Sequence, residues 1–433
     1  MEQAAATYLG DSYRFVWTDP DIDVIVDRLR EERGDLICEM AVRAAVPPYN
    51  GLLRQAKFNL SSATTRTAWI KDLTGRQAEV DWFAVIEQVC TLSLRRWREG
   101  EPVVDLSEVA PRDRETYLIS PYVVEGSVAS GIFADGGTGK SLFALALALS
   151  VATAEPVLGV YPERMGPVLF LDWEWDAEAH AERLHAICRG VGIEVPIGVI
   201  FYRHETASVL EAAPTIRRLI SELGIVLVIV DSLGFARGGE PESAELTIKT
   251  FAAFRTFGIP VFYVDHVAKQ AADKSHSFGS VYTRNSSRMM WRLDAGESSR
   301  GKTNLGLVNT KYNVKQNKTR GLLLTITENG AGRLDAITFE DAEPPLLSLG
   351  RAGIREAAIA ILKANPEGLS IKDMRLILEA EGLKVHEGAL GAMLGRKSNR
   401  ETFQYAAGIW RLFNGSFSTR VTWEEVAERM ESQ

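Results

Sequence analysis

The sequence predicts an α/β protein whose centre is a mainly parallel, twisted sheet, with a smaller module on either side. In the middle of the chain, short apolar runs alternate with helical patterns, the order typical of a doubly wound α/β domain. Most of these runs are apolar throughout, as expected for parallel strands buried on both faces. We therefore divide the chain into an N-terminal α+β accessory region at 1–115, a core at 116–345 and a C-terminal module at 351–433.

Each part has its own pattern of elements. In the core, apolar runs predict strands at 131–134, 168–171, 199–202, 226–230, 261–264 and 305–310. Apolar residues at three- and four-residue spacing predict core helices at 177–188 and 213–223. In the N-terminal region we predict a helix at 23–33, a strand at 36–42 and an amphipathic helix at 81–97.

The C-terminal module has the pattern of a winged helix. Helices are predicted at 354–364, 371–381 and 386–394, and two strands follow at 402–405 and 409–413. Ser370 is placed to cap the second helix. Three helices followed by a hairpin are typical of winged-helix modules, in which the helix before the hairpin recognises the partner.

Composition restricts the class of protein. The formal net charge is −8, so nucleic acid binding requires a local basic surface. The scattered Cys38, Cys90 and Cys188 lack metal-ligand spacing and predict buried thiols in a reducing compartment. The N-terminus has no apolar signal segment, and the longest apolar run, 142–154, is too short to cross a bilayer. We expect a cytoplasmic protein with no membrane partner.

A glycine-rich corner between a strand and a helix predicts a phosphate-binding loop. Glycines let the backbone wrap around phosphate oxygens, and the start of the helix at 140–154 adds partial positive charge. Lys140 is placed to reach the β and γ phosphates of ATP, and Ser141 to ligate Mg²⁺. Ala134 occupies the position of the first glycine in the usual pattern, which we expect to be tolerated. The residues predicted to bind the nucleotide are Asp135, Gly136, Gly137, Thr138, Gly139, Lys140, Ser141 and Leu142.

Acidic residues follow two further strands and supply the remaining requirements of ATP hydrolysis. Asp231 ends an apolar strand in a Walker B pattern and is the predicted second metal residue, acting directly or through water. Hydrolysis also needs a base, and Glu174, at the end of another strand, is our choice, with Asp172 as the alternative. His266 follows a third strand and is predicted to contact the γ-phosphate or the attacking water.

These motifs together resemble a known family. They are Gly-Gly-Thr-Gly-Lys140-Ser141, Leu-Asp-Trp-Glu174, Val-Ile-Val-Asp231-Ser232 and Asp-His266-Val-Ala-Lys269, with a further stretch at 278–288. In this order they resemble the RecA-like P-loop ATPases of the RepA-like hexameric helicase group, which carry an AAA-type ATPase domain. The resemblance covers residues 116–330 and neither end of the chain. It implies a RecA-like core, ATP bound between subunits of a ring or filament, and Glu174 as the catalytic glutamate.

The resemblance also implies residues that act on DNA and on a neighbouring subunit. His266 would couple the γ-phosphate to a DNA-facing loop at 269–283, in which Lys269, Lys274 and His276 are candidate contacts; a solvated loop is the alternative. Related ring helicases insert a Lys-x-Arg pair into the neighbouring site. Lys311 matches the lysine, whereas Asn313 replaces the arginine. The other basic residues that could act in trans are Lys315, Lys318 and Arg320.

The C-terminal module leaves DNA binding and partner binding open. Arg396, Lys397 and Arg400 follow the predicted recognition helix and are candidate phosphate contacts. Residues 351–433 nevertheless hold 12 Lys and Arg against 11 Asp and Glu, which is nearly neutral for a DNA-binding module.

Three functional hypotheses follow. The first is an ATP-driven DNA motor or DNA-dependent ATPase, a homo-oligomeric (for example hexameric) helicase or a replication or recombination factor that binds single-stranded DNA. The second is a regulatory or scaffold ATPase that assembles on ATP and recruits partners without unwinding DNA. The third is a P-loop kinase, against which the motifs of Glu174 and His266 argue because they suit activation of water.

Overall fold

The computed structural model defines the architecture of most of the chain. It describes residues 2–44, 51–111, 116–240, 243–266, 281–312, 319–345, 348, 350–380, 385–396, 399 and 402–413. Several predicted contacts fall outside these described residues: Lys269, Lys274, His276, Lys315, Lys318, Lys397 and Arg400.

The N-terminal part is a five-stranded antiparallel sheet with two helices on one face. The strands are β1 (Ala5–Leu9), β2 (Ser12–Thr18), β3 (Asp21–Glu32), β4 (Asp35–Ala44) and β5 (Gly51–Asn59). The helices are α1 (Ala63–Arg76) and α2 (Trp82–Glu99). Ser62 caps α1 and Asp81 caps α2, each accepting a hydrogen bond from a backbone N–H of the first turn. Cys38 and Cys90 are buried together in the core between this sheet and its helices.

The helix predicted at 23–33 is wrong, because these residues form β3. Val24 and Val26 face α1 and α2, as an alternating strand requires. Ile25 and Asp27 on the opposite face are also buried. Burial on both faces places apolar residues next to one another and hides the two-residue alternation from the sequence. The strand at 36–42 and the helix at 81–97 are confirmed as parts of β4 and α2.

The core is built on a nine-stranded sheet that changes from parallel to antiparallel. Its strands in spatial order are β10 (Ile200–His204), β9 (Val168–Asp172), β11 (Leu227–Asp231), β12 (Val261–His266), β8 (Ala129–Ala134), β13 (Met289–Ser299), β14 (Lys302–Tyr312), β15 (Thr319–Glu328) and β16 (Leu334–Ala342). The run from β10 to β13 is parallel, and β13 to β16 form an antiparallel meander. The mainly parallel α/β core is therefore confirmed. The run at 305–310 is a strand, but an antiparallel one. A short ladder of β6 (Tyr117–Ile119) and β7 (Val123–Val124) precedes the sheet.

Helices cover both faces of the parallel part of the sheet. The core helices are α3 (Lys140–Thr153), α4 (Ala177–Val191), α5 (Val209–Leu223), α6 (Leu233–Ala236), α7 (Ala244–Arg255) and α8 (Val281–Ser286). One hydrophobic core joins α3 and α4 to residues such as Phe170 and Ile229, and a second joins α5 and α7 to Leu171 and Val228. Successive residues of β9 and β11 thus enter opposite cores, which explains their uninterrupted apolar runs.

The N-terminal sheet docks on α5 through charged residues. Arg217 of α5 is 7% exposed and forms an ion pair with Asp11, which precedes β2. A second pair joins Arg43 Nη2 to Glu222 Oε1 at 3.0 Å. Burial lowers the pKa of Arg217 to about 10, so the guanidinium still carries its charge at neutral pH. The accessory region is thereby attached to the helix that leads into β11.

The described residues of the C-terminal part form three helices and a small hairpin. The elements are α9 (Gly350–Ala364), α10 (Ile371–Ala380), α11 (Glu387–Leu394), β17 (Phe403–Ala406) and β18 (Ile409–Leu412). Their core contains Leu362, Met374, Leu390, Phe403 and Trp410. The side chain of Ser370 accepts a hydrogen bond from the Asp373 N–H, which confirms the predicted cap. In the part of the chain that the structure describes, every helix is too short or too polar to span a lipid bilayer.

Candidate nucleotide-binding and catalytic site

The predicted phosphate loop lies between β8 and α3. Gly137 and Gly139 adopt φ values of +75° and +93°, a left-handed conformation that favours glycine. Asp135 and Gly136 form the exposed beginning of the loop. Ala134 is still paired with His266 in the β8–β12 ladder. A glycine is therefore not needed at position 134, which accounts for the departure from the usual pattern.

Lys140 is held over the loop at the beginning of α3. Its Nζ donates to the carbonyl oxygens of Ala134 at 3.1 Å and Asp135 at 2.8 Å, and the residue is 5% exposed. Burial lowers the pKa of Lys140, while the carboxylates of Asp231 and Glu174 oppose this shift. The ammonium group and the N-terminus of α3 together form a site for an anion.

Ser141 and Asp231 meet beside this lysine. The Ser141 side chain hydrogen-bonds to the Asp231 carboxylate, which lies at the end of β11. Burial raises the pKa of Asp231 to about 6, although the hydrogen bond from Ser141 opposes the shift. No group of three or more His, Cys, Asp or Glu side chains among the described residues is arranged to hold a metal by itself. One hydroxyl and one carboxylate fit Mg²⁺ that is completed by phosphate oxygens and water.

Asp172 lies at the end of β9, but its carboxylate is occupied by the protein. Oδ1 accepts the N–H of Glu174 at 2.9 Å, and Oδ2 accepts the N–H of Trp175 at 3.1 Å. His180 Nε2 and the Tyr202 hydroxyl also contact Oδ2, at 2.9 and 3.2 Å. The residue is 1% exposed. This geometry favours Glu174 over Asp172 as the base.

Glu174 presents its carboxylate to the cleft. Oε1 accepts a hydrogen bond from the Ser232 hydroxyl and lies 3.5 Å from His266 Nε2. The His266 contact lowers the pKa of Glu174, the Ser232 hydroxyl adds to this effect, and burial opposes it. Glu174 is therefore ionised at neutral pH, as an acceptor of a proton from water must be.

Most of the predicted nucleotide and catalytic residues converge on one cleft of about 290 Å³, but Asp135, Gly136 and Lys311 are not among its lining residues. Residues 137–142 line it, together with Glu174, Asp231 and His266. A second cleft of about 350 Å³ lies between the N-terminal sheet and α5. Its charged groups pair with each other, as Arg43 does with Glu222. We therefore place the chemistry in the first cleft, where the loop, the lysine and the acids meet.

Sequence reasoning missed four residues that line this cleft, which are Trp175, His180, Arg183 and Val264. Arg183 lies on α4, and its Cζ is 4.0 Å from the centroid of the Trp175 ring. Burial lowers the pKa of Arg183, while the nearby carboxylates of Asp231 and Asp172 raise it. The position of Arg183 in the sequence could have indicated its place in the cleft. It lies on the helix that follows a strand ending in acids, and the first residues of such a helix lie at the same edge of the sheet as those acids.

Lys311 and Arg320 do not reach the phosphate loop of their own chain. Lys311 Nζ donates to the backbone carbonyls of Arg284 and Asn285, the latter at 3.0 Å. Through β13, it lies at the level of Gly131, near the beginning of β8, whereas the phosphate loop follows the end of that strand. Arg320 forms an ion pair with Asp341. Action of either residue on a neighbouring chain stays a prediction.

The predicted recognition helix α11 carries no basic side chain. Its exposed positions are Glu387, Gly388, Ala389 and Ala392. Arg396, which follows the helix, is exposed. A helix that contacts DNA phosphates or bases normally presents basic or polar side chains, and these residues are mostly small and uncharged.

Comparison with known proteins agrees with the geometry of the cleft. A family model described as an AAA domain matches residues 97–272, which is less than half of the chain. The match contains the phosphate loop, Glu174, Asp231 and His266, and it indicates a nucleotide-binding ATPase domain. No curated protein sequence matches the chain.

Proposed function

We propose that the protein is a RecA-like ATPase of the RepA-like type, which hydrolyses ATP with Mg²⁺ and is activated by single-stranded DNA. The observation that carries the proposal is the meeting of Lys140, Asp231 and Glu174 around one cleft. These groups supply a cation for the phosphates, a carboxylate for the metal and an ionised carboxylate for water. The AAA-domain match to the same segment supports the ATPase part of the proposal.

Each of these groups has a distinct role in phosphoryl transfer to water. The loop amides, the start of α3 and Lys140 bind the phosphates. Ser141 and Asp231 would hold Mg²⁺, which neutralises phosphate charge when it is bound. Glu174 orients a water molecule and accepts its proton. His266 contacts the Glu174 carboxylate. Because His266 ends β12, a change at the γ-phosphate that moves Glu174 would be passed through His266 to the segment that follows this strand.

ATP turnover with and without single-stranded DNA tests the proposal. Lys140→Ala should abolish turnover, and Glu174→Gln should still bind ATP but hydrolyse it about 10²–10⁴ times more slowly. Lys249→Ala is the matched control, because Lys249 is an exposed lysine on α7, far along the chain from the loop. Normal turnover by Glu174→Gln would show that Glu174 is not the base. A lack of stimulation by DNA across lengths and salt concentrations would remove the DNA-dependent part.

Assembly into a homo-oligomer, with a hexameric ring as the expected form, is part of the proposal. In such a ring, Lys311 or Arg320 would enter the site of the neighbouring subunit and compensate charge in the transition state. The internal contacts of Lys311 with Arg284 and Asn285 would then have to be exchanged for contacts with the neighbour. Particle mass in the presence of nucleotide tests the assembly directly.

The DNA contacts proposed for the motor lie in two regions. The segment predicted as a loop at 269–283, whose last three residues belong to α8, contains Lys269, Lys274 and His276 and would face DNA in the centre of the ring. The C-terminal part would act as a winged helix, with Arg396 near the phosphates. Loss of DNA stimulation in Lys269→Ala and Lys274→Ala, with basal turnover retained, is the expected result.

A regulatory or scaffold ATPase is the second candidate, and the surface of α11 favours it. The helix exposes Gly388, Ala389 and Ala392 rather than basic residues, which suits packing against a protein. The net charge of −8 points in the same direction. A strand-displacement assay with a labelled duplex separates the two candidates, because only a motor releases the strand.

A further inference from the structure

The buried carboxylate of Asp172 accepts hydrogen bonds from the backbone of the turn that carries Glu174. Asp172 Oδ1 accepts the N–H of Glu174 and Oδ2 accepts the N–H of Trp175, at 2.9 and 3.1 Å. Helix α4 has its own cap, because Asp176 accepts the N–H of Ala179 at 2.8 Å. The Asp172 carboxylate is therefore not needed to begin the helix, and its hydrogen bonds hold the turn instead.

His180 orients the Asp172 carboxylate from α4. Its Nε2 lies 2.9 Å from Asp172 Oδ2, and the residue is 5% exposed. The ring packs between Phe170 and Tyr202, with centroid distances of 4.8 and 5.4 Å. Because a carboxylate only accepts hydrogen bonds, the proton of the imidazole must be on Nε2. The ring can therefore not rotate without losing both its packing and this bond.

Tyr202 completes the set from the neighbouring strand, β10. Its hydroxyl lies 2.8 Å from the Trp175 carbonyl oxygen and 3.2 Å from Asp172 Oδ2, so its one proton is shared between two acceptors. Burial and the nearby Asp172 carboxylate raise the pKa of Tyr202, which keeps the phenol protonated. The turn is thus held through a backbone carbonyl as well as through two backbone N–H groups.

We propose that Asp172, His180 and Tyr202 form a clamp that positions Glu174 for hydrolysis. The clamp fixes the backbone on which Glu174 stands, and Ser232 and His266 hold the carboxylate at the other end. The inference rests on the proposed function, since the orientation of Glu174 matters only if it acts on water. A displacement of a catalytic group by about 1 Å costs on the order of 100-fold in rate, so loosening the clamp should lower kcat.

Two substitutions loosen the clamp, and each has a matched control. Tyr202→Phe removes one hydroxyl, and His180→Leu removes the donor to Asp172. His180→Gln restores an N–H donor at similar reach and should recover most of the lost rate. The controls are Tyr161→Phe, at an exposed tyrosine, and His185→Leu, at an exposed position of the same helix. We expect kcat to fall about 10- to 100-fold in the two loosened variants and to be unchanged in the controls.

Nucleotide affinity and coupling to Glu174 distinguish positioning from general support of the fold. Binding of a fluorescent ATP analogue to Tyr202→Phe should stay within about threefold of wild type, because Tyr202, unlike Asp172 and His180, is not among the residues that line the nucleotide cleft. Tyr202→Phe should have little further effect in a Glu174→Gln background, since both changes act on one group. Equal losses in affinity and kcat, or full additivity with Glu174→Gln, would overturn the clamp.

The proposed function and the clamp fail in different ways. A wild-type protein that does not hydrolyse ATP removes the proposed function. A wild-type protein that does hydrolyse ATP, with unimpaired Tyr202→Phe and His180→Leu variants, overturns the clamp and leaves the ATPase in place.

Discussion

Replacing Asp231 with asparagine is expected to stabilise the nucleotide-free protein while it removes the carboxylate proposed to hold Mg²⁺. Asp231 is 5% exposed, and burial raises the pKa of its carboxyl to about 6 from an ordinary value of 3.8. The neighbouring carboxylates of Asp172 and Glu174 contribute to this shift. Lys140 and Arg183 attract this carboxylate, but burial outweighs them, so without Mg²⁺ the ionised form weakens the fold.

The sign and size of the effect follow from the pKa shift. The folded protein holds the Asp231 proton more tightly than the unfolded chain does, so stability falls as pH rises from the ordinary value of 3.8 to about 6. A shift of about two pKa units corresponds to about 3 kcal/mol, which is fully present above pH 6. About half of it remains at pH 5, and little remains below pH 4. Asparagine has nearly the same shape, keeps an oxygen that accepts from Ser141 and carries no charge.

Asp265 provides the matched control, because its pKa is also raised to about 6 by burial. Asp265 forms a direct ion pair with Arg237, with 3.4 Å between Arg237 Nη2 and Asp265 Oδ2. Both side chains are almost completely buried. Asparagine leaves this buried guanidinium without its counter-charge, so Asp265→Asn should stabilise the protein less than Asp231→Asn does at the same pH.

Thermal unfolding of the full chain in EDTA without nucleotide, at pH 7.5 and pH 5, measures both variants. For a core of this size, 1 kcal/mol shifts Tm by about 2–4 °C. We expect Asp231→Asn to raise Tm at pH 7.5, to raise it less at pH 5, and to lose the stabilisation that Mg²⁺ and ATP give the wild type. A lower Tm for Asp231→Asn at pH 7.5, or the same gain at both pH values, would refute the reasoning.

Three other predictions concern the cleft, the docked sheet and the subunit contact. If Arg183 stabilises negative charge in the transition state, Arg183→Ala should lower kcat about 10- to 100-fold with little change in Tm. Arg183→Lys should have a similarly low kcat, because lysine cannot stack flat on the Trp175 ring. A wild-type kcat in either variant would exclude this role of Arg183. Asp11→Ala removes the carboxylate that faces buried Arg217 and should loosen the docking of the N-terminal sheet on α5. Limited proteolysis should then cut the segment between α2 and β6 faster than in wild type. An unchanged cleavage rate would contradict a role of this ion pair in docking. If Lys311 acts in the ATP site of a neighbouring subunit, Lys140→Ala and Lys311→Ala should each be inactive alone. Mixing them should restore turnover, because some interfaces then contain an intact Lys140 and an intact Lys311. A mixture that stays inactive argues against action of Lys311 in trans.

Local patterns in the sequence were sufficient for the phosphate loop and for the parallel strands. The loop depends on backbone conformations that glycine permits, such as that of Gly139, and these are local properties. The inner parallel strands β8, β9, β11 and β12 are buried on both faces, and their apolar runs indicate this directly. The AAA-domain match covers the same segment.

The remaining errors share a cause, which is contact with a distant part of the chain. Strand β3 was predicted as a helix because α5, far along the chain, buries its second face. Strand β14 was found, but its antiparallel direction depends on pairing with β13 and β15. Arg183 was missed because only the packing of α4 brings it over Trp175.

The sequence by itself determined that a strand leads into a loop built for phosphates, and that acids follow the neighbouring strands. It did not distinguish Glu174 from Asp172, since both end the same strand. Tertiary structure favours Glu174: His180 and Tyr202, from two other elements, bond to the Asp172 side chain, which is 1% exposed, whereas the Glu174 side chain is 37% exposed. Backbone conformation is encoded over a few residues, whereas the hydrogen-bond partners of a carboxylate are set by whatever the fold places beside it.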